Sequence, residues 1–341
     1  MRIMAQEPRA SDIIVRLGPS KFCARLRPCF CQFVKRRASD RIRACFFALA
    51  SVLSLVAQAE PSEADPAQFD MPVTVTIEGY AGHAMEPFLS RDGQWLFFNN
   101  RNQPQDQTDI HLAERISDTR YRYVGLLSGA NSTELDGVPS MDRNGVFVFV
   151  SPRAYDSSRN TLWQGWFQDG QITDVRELAG TFSRQEPLWL NIDAEISADG
   201  QSLYFVESRW RLIRGGVRSA DILLARRTAD GAFDQITGEA ELFDRINTDS
   251  LEFAPAVTED ELTLYFTRVD EAALRDGVDA GFGIFVATRV AREDPFEEPR
   301  RIEAIRGYVE APTVAPGDCA ILFHKRVDGT FVIQRAERKI C

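Results

Sequence analysis

Asp193-Ala-Glu-Ile-Ser-Ala-Asp-Gly-Gln-Ser-Leu-Tyr-Phe205 reads as two short strands around a tight turn. The apolar residues alternate on either side of Asp199-Gly200, a pair that tolerates positive φ. A near copy runs Glu86-Pro-Phe-Leu-Ser-Arg-Asp-Gly-Gln-Trp-Leu-Phe-Phe98, and a third runs Pro255-Ala-Val-Thr-Glu-Asp-Glu-Leu-Thr-Leu-Tyr-Phe266. Weaker copies span Pro139–Phe149 and Pro312–Phe323, with turns at Asn144-Gly145 and Gly317-Asp318. The period of roughly 50–60 residues points to a solenoid or a propeller.

A third strand follows each copy: Asp109–Ala113, Thr161–Gly165, Asp221–Ala225, Gly283–Ala287 and Phe331–Gln334. A fourth closes four copies, as in Tyr121–Leu127 and Arg300–Ile305, but the last copy ends at Cys341 without one. Val73-Thr-Val-Thr-Ile77 has the alternation to supply it from the other end of the chain. Such an exchange would hide the sheet edges.

The pattern E-x-P/S-x-D-G-x-x-L-Y-F-x-S-x-R followed by D-I-x-x-A resembles the WD-like repeats of TolB-type bacterial β-propellers. Asp193–Arg209 with Asp221–Ala225 carry the likeness best, then Glu86–Arg101 with Asp109–Ala113. It covers about residues 73–341. It implies an all-β fold, here a five-bladed propeller of four-stranded antiparallel blades, the last blade completed by the N-terminal strand. TolB itself has six blades, so its partner does not transfer. The likeness says little about activity, because the family includes binding and scaffold proteins as well as enzymes.

The chain has 341 residues, with 40 Lys+Arg, 50 Asp+Glu and 3 His. The net charge of -10 argues against a general nucleic-acid binder. Residues 1–59 nevertheless carry a balance of +8, with Lys35-Arg36-Arg37 ahead of the apolar run Ala44–Val56 and then Ala57-Gln58-Ala59. This is the layout of a secretory signal, too short an apolar run to span a bilayer. Residues 1–33 do not suit it, and the reading places the true start near Val34. The expected organisation is a signal region at 1–59, a linker at 60–72 and the propeller at 73–341. The mature chain would be a periplasmic or secreted monomer, not inserted in a membrane. It would keep only Cys319 and Cys341, which flank the second and third strands of the last copy and are expected to form a disulfide.

Repeat geometry gathers two kinds of charge on one face. Glu86, Asp136, Asp193, Glu252 and Glu310 stand where the first strands begin; Arg101, Arg153, Arg209, Arg268 and Arg326 stand beyond the second strands. The acids fall one, three, one, three and two residues before the first-strand proline or its equivalent. Positions one and three share a strand face, so Glu310 is the one expected to point elsewhere. A structural reading pairs acids with arginines. A functional reading makes a channel mouth that binds a cation, an amine or a sugar. Binding or scaffolding in the bacterial envelope, with a protein, glycan or peptide partner, is the first expectation. The alternative is a carbohydrate-active hydrolase or lyase using Glu86, Asp136 and Asp193 or Glu195.

His83 lies beside Glu86, and His324 approaches it if the last and first blades touch. A His83–His324–Glu86 metal site competes there with plain hydrogen bonding, and no metal or cofactor is expected. His111 is expected to pack. Residues 207–220, with Arg209, Trp210, Arg211, Arg214 and Arg218, and residues 268–282, with Asp270, Glu271, Asp276 and Asp279, form long loops that either bind a partner or pair with each other. Trp163 and Trp166 read as blade packing.

Overall fold

The computed structural model describes residues 65–102, 107–211, 216–236 and 238–341. The expected signal region, the first residues of the expected linker and Arg214 lie outside them.

Two short strands, β1 (Val73–Thr74) and β2 (Thr76–Glu78), precede the repeats. The first antiparallel group is β3 (Met85–Leu89), β4 (Trp95–Asn99), β5 (Ile110–Ser117) and β6 (Arg120–Leu126). The second is β7 (Gly137–Met141), β8 (Val146–Val150), β9 (Leu162–Gln168) and β10 (Gln171–Glu177). The third is β11 (Trp189–Ile196), β12 (Ser202–Trp210), β13 (Val217–Arg227) and β14 (Phe233–Gln235). The fourth is β15 (Leu251–Val257), β16 (Thr263–Val269), β17 (Phe282–Thr288) and β18 (Arg300–Arg301). The fifth is β19 (Val309–Val314), β20 (Ala320–Val327) and β21 (Thr330–Glu337).

The second strands carry Leu-aromatic-aromatic runs such as Leu96-Phe97-Phe98, Leu203-Tyr204-Phe205 and Leu264-Tyr265-Phe266, all fully buried. A strand apolar on both sides is stable only when covered on both faces. Each pair of successive groups accordingly shares a core. Phe97 and Phe147 meet between the first and second groups, Val148 and Phe205 between the second and third, Tyr204 and Phe266 between the third and fourth, and Tyr265 and Phe323 between the fourth and fifth. Leu322 and Ile333 of the fifth group pack with Leu96 and Phe98 of the first. The first strands touch in the same cycle, β3 lying against both β7 and β19.

The segment expected to form one strand at Val73–Ile77 divides. Val73 and Thr74 pair antiparallel with Arg335 and Gln334 of β21, whereas Thr76–Glu78 pair parallel with β6. The segment thus joins the outer edges of the first and last groups. Residues assigned to a linker also pack: Phe69 is buried edge-on against Tyr265 and bridges Arg338, and Asp65 pairs with Arg300 at 2.8 Å. The fourth strand expected over Arg300–Ile305 shortens to two residues, because Ile302 and Ile305 turn into the core instead. Cys319 and Cys341 are disulfide-bonded, with Cα atoms 5.4 Å apart. Closing that loop contributes about 3 kcal/mol in the chain-entropy account.

Every first strand slips register at the same place, for example between Met85 and Phe88 and between Phe253 and Ala256. Glu86, Val138, Ala254 and Ala311 sit there at φ +49 to +55, each immediately before a proline. Left-handed backbone is costly for residues other than glycine. It is held by clamps from the preceding group: Val138 N–H donates to Asn99 Oδ1 (3.1 Å), Ala254 N–H to Asp193 Oδ2 (3.2 Å), Ala311 N–H to Thr267 Oγ1 (3.0 Å) and Glu86 N–H to His324 Nδ1 (3.2 Å).

Candidate functional site

These bulges decide where the acids point. Glu86 and Asp193 occupy the equivalent repeat position, where the other groups carry Val138, Ala254 and Ala311. All five residues line a narrow central space of about 30 Å³, enough for about one water molecule. Asp136 and Glu252, two residues earlier in the repeat, turn away from it. The expectation that positions one and three share a face fails because the left-handed residue breaks the strand alternation.

Asp136 and Glu252 are fully buried and neutralised alike. Arg153 donates to Asp136, and Arg268 Nε donates to Glu252 Oε1 at 2.7 Å. Ser132 and Thr248, each four residues upstream, add a backbone N–H and a hydroxyl. Asn131 and Asn247 hold Ile110 and Ile222 of the preceding group in the same way. This shared N-S/T-x-x-x-D/E device, visible in Asn131–Asp136 and Asn247–Glu252, is a sequence signal that the strand-by-strand reading passes over. It makes these two acids part of the scaffold.

Among the described residues, the other arginines pair with none of the five acids. Arg209 stacks over Trp189 at 5.7 Å, and Arg326 is exposed on the β20–β21 hairpin. Arg101 is half-buried after β4, its carbonyl accepting the Thr108 hydroxyl. Glu195, the alternative to Asp193, lies deeper and is sealed: Arg91 Nη2 donates to its Oε1 at 2.8 Å and to the Ile196 carbonyl, while Ser140 donates to Oε2 at 2.7 Å. Arg91 thereby closes the turn end of the central space.

Glu86, Asp193 and Glu310 remain at the open end. Glu86 is 9% exposed and accepts from Asn102 Nδ2 at 2.9 Å. Burial pushes its carboxyl up to about 8; the charges of Asp193 and Glu310 add to this, against His324 and the Asn102 hydrogen bond. Burial likewise pushes Asp193 up to about 7, helped by Glu310 and opposed by the Ala254 N–H. Glu310, the acid expected to point elsewhere, does not line the central space, where Ala311 stands instead; it meets His324 Nε2 at 3.0 Å. Burial disfavours imidazolium at His324, but the Glu310 hydrogen bond and the charges of Glu86 and Glu310 outweigh it and raise the pKa. Glu310 also raises the pKa of Tyr308, whose ring stacks on Phe282 at 4.1 Å. His324 does reach Glu86 across the first and last groups, as its place in the repeats suggested, whereas Asn102 and Tyr308 carry no motif that the sequence shows.

His83 stands apart from this cluster. Its Nδ1 accepts the Phe331 N–H at 3.1 Å, and among the described residues no three His, Cys, Asp or Glu side chains form a metal-holding group. His111 is buried, stacked on Phe98 and bonded to Tyr123 Oη at 2.8 Å; burial lowers its pKa to about 4. The loop expected over 207–220 is mostly strand, since β12 runs to Trp210 and β13 starts at Val217; Trp210 donates to Ser208 Oγ at 3.1 Å within β12, and Arg211 just beyond it meets Glu271 of the second loop at 3.7 Å. Trp163 packs under Arg153, but Trp166 is 43% exposed, contrary to expectation.

Radially arranged sheets around a lined central space define the class: an all-β propeller. No protein-family model matches the chain, and no curated protein matches it. Many solved structures are similar to the chain. The BT0996 complex with RGII has a TM-score of 0.56 at 8% identity, covering 80% of this chain and 92% of its own. The catalytic domain of a Coprinopsis cinerea GH62 α-L-arabinofuranosidase has a TM-score of 0.49 at 8% identity, covering 80% and 98%. TolB from Acinetobacter baumannii has a TM-score of 0.39 at 14% identity, covering 74% of this chain and 54% of its own. No helix among the described residues is long and apolar enough to cross a membrane.

Proposed function

We propose that the chain is an exported five-bladed propeller, its last blade completed by β1, that hydrolyses glycosidic bonds at the open end of its central space. Glu86 is the proton donor and Asp193 the base. The observation that carries this is the split among the acids. Two of the five are neutralised by arginine, whereas Glu86 and Asp193 share one repeat position and have no arginine partner among the described residues. Burying carboxyls in this way costs stability and suits a site that needs one protonated and one ionised group near neutral pH.

In the reaction, the Glu86 hydroxyl donates its proton to the leaving glycosidic oxygen as the anomeric C–O bond breaks. Asp193 takes a proton from the water that supplies the new C–O bond. His324 and Asn102 position Glu86, the first through its backbone N–H and the second through its carboxyl oxygen. The space of about 30 Å³ between the acids places the sugar above them rather than among them. That small volume favours a second reading, a binding module in the envelope that uses the same end without chemistry.

Export is supported by the basic-then-apolar layout of residues 35–59 and by the Cys319–Cys341 disulfide. An assay of the purified chain on arabinan, xylan and galactan oligosaccharides separates the two readings. Hydrolysis should follow a bell-shaped pH profile, rising as Asp193 ionises near 7 and falling as Glu86 ionises near 8. The two limbs belong to the coupled pair rather than to single residues. Binding without turnover at any pH between these limbs would leave the binding module.

A further inference from the structure

The opposite face of the propeller carries an aromatic residue that the repeat does not require. Pairing with the first residue of each second strand puts Glu114, Trp166, Arg226, Thr288 and Glu337 at one equivalent position. Four of these are polar. Trp166 is the exception, 43% exposed, and its indole N–H meets no acceptor among the described residues.

Trp166 lines a groove of about 520 Å³ between the β7–β8 and β11–β12 turns, a volume within the usual range for small-molecule sites. The other walls are polar and held in place. Asp142, only 3% exposed, accepts the Asn144 and Val146 N–H groups on Oδ1, both at 2.8 Å. Gly200, at φ +73, forms the floor; a Cβ there would stand 2.5 Å from Asp142 Oδ2. Arg227 lies over Phe233 at 4.5 Å and donates to the Gly200 and Gly231 carbonyls at 2.6 and 3.1 Å. Its Nη2 is buried and has no hydrogen-bond partner among the described residues, so the guanidinium forms a wall rather than a donor to the groove. Among those residues, Val146 is the one aliphatic side chain lining the groove.

We infer that this groove is a saccharide-binding site, with a sugar ring stacked on Trp166 and its hydroxyls bonded by Asn144, Gln201 and the Trp166 N–H. An indole face framed by amides and a guanidinium matches the two sides of a sugar ring, one of C–H groups and one of hydroxyls. The site is independent of the reading given to Glu86 and Asp193, because it lies at the turn end, beyond the Arg91 seal.

The test is calorimetric titration of the full chain with cellopentaose, arabinopentaose and tetragalacturonate. At least one should bind saturably, and Trp166→Thr should weaken it by about tenfold or more. Thr288 already occupies the equivalent position, so this variant should fold. Glu86→Gln with Asp193→Asn should leave the affinity unchanged. In wild type, the Trp166 indole N–H resonance should shift with the same affinity, which covers the case of a poorly folded variant. The inference is overturned if none of the three binds at about 10 mM, if Trp166→Thr binds as wild type does, or if binding disappears with the Glu86 and Asp193 changes instead.

Discussion

Glu86→Gln and Asp193→Asn are expected to abolish hydrolysis while making the protein more stable. Removing a proton donor or a base typically costs about 10²–10⁴-fold in rate. The stability gain follows from the raised pKa values. A carboxyl whose folded pKa lies above its unfolded value is penalised once the unfolded chain ionises. For Glu86 that penalty is absent below about 4.5, grows through the window up to about 8 and is constant above it. At pH 7 it amounts to roughly 3 kcal/mol at most, a shift of roughly 5–10 °C in Tm for a chain of this size. Both variants keep their hydrogen bonds, because the new amide oxygens still accept from Asn102 and Ala254. Thermal melts at pH 5 and pH 8 read the effect: the gain should be larger at pH 8. Lower stability at pH 8 would mean that these acids serve the scaffold.

Arg268→Leu should have the opposite outcome. It strands Glu252, fully buried, without its cation, and removes the donation of Arg268 Nη2 to the Ile246 carbonyl at 2.8 Å. Breaking one half of a buried pair typically costs about 3–5 kcal/mol. Arg153→Leu should do the same at Asp136. Adding Glu252→Gln to Arg268→Leu should recover part of the loss, since the Thr248 N–H can still donate to the amide oxygen while the Thr248 hydroxyl accepts from the new amide NH2. Urea unfolding of the single and double variants checks this. A loss under about 1 kcal/mol for Arg268→Leu would place the pair among weak surface interactions.

The contrast between these two results marks what is legible in the chain. Repeats of strand, Asp-Gly turn and aromatic strand reveal the architecture because each blade must bury the same faces. The set of five acids is also legible. Their division into scaffold and site is not, since it depends on a left-handed residue before a proline, and strand alternation counted through that residue gives the wrong face. Trp166 escapes it because an aromatic in a third strand ordinarily packs; its exposure shows only when the five repeats are laid against one another. The short β18 follows from Ile302 and Ile305, whose apolar side chains gain more in the core than in extending an edge strand.

The most direct measurement is a pH titration of the carboxyl carbons by NMR in wild type and in Glu86→Gln. Two buried carboxyls should titrate near 7 and 8, and the higher of the two should vanish in the variant. If every Asp and Glu instead titrates below about 5, the central carboxyls are ordinary ionised groups and the proposed acid and base have no physical basis.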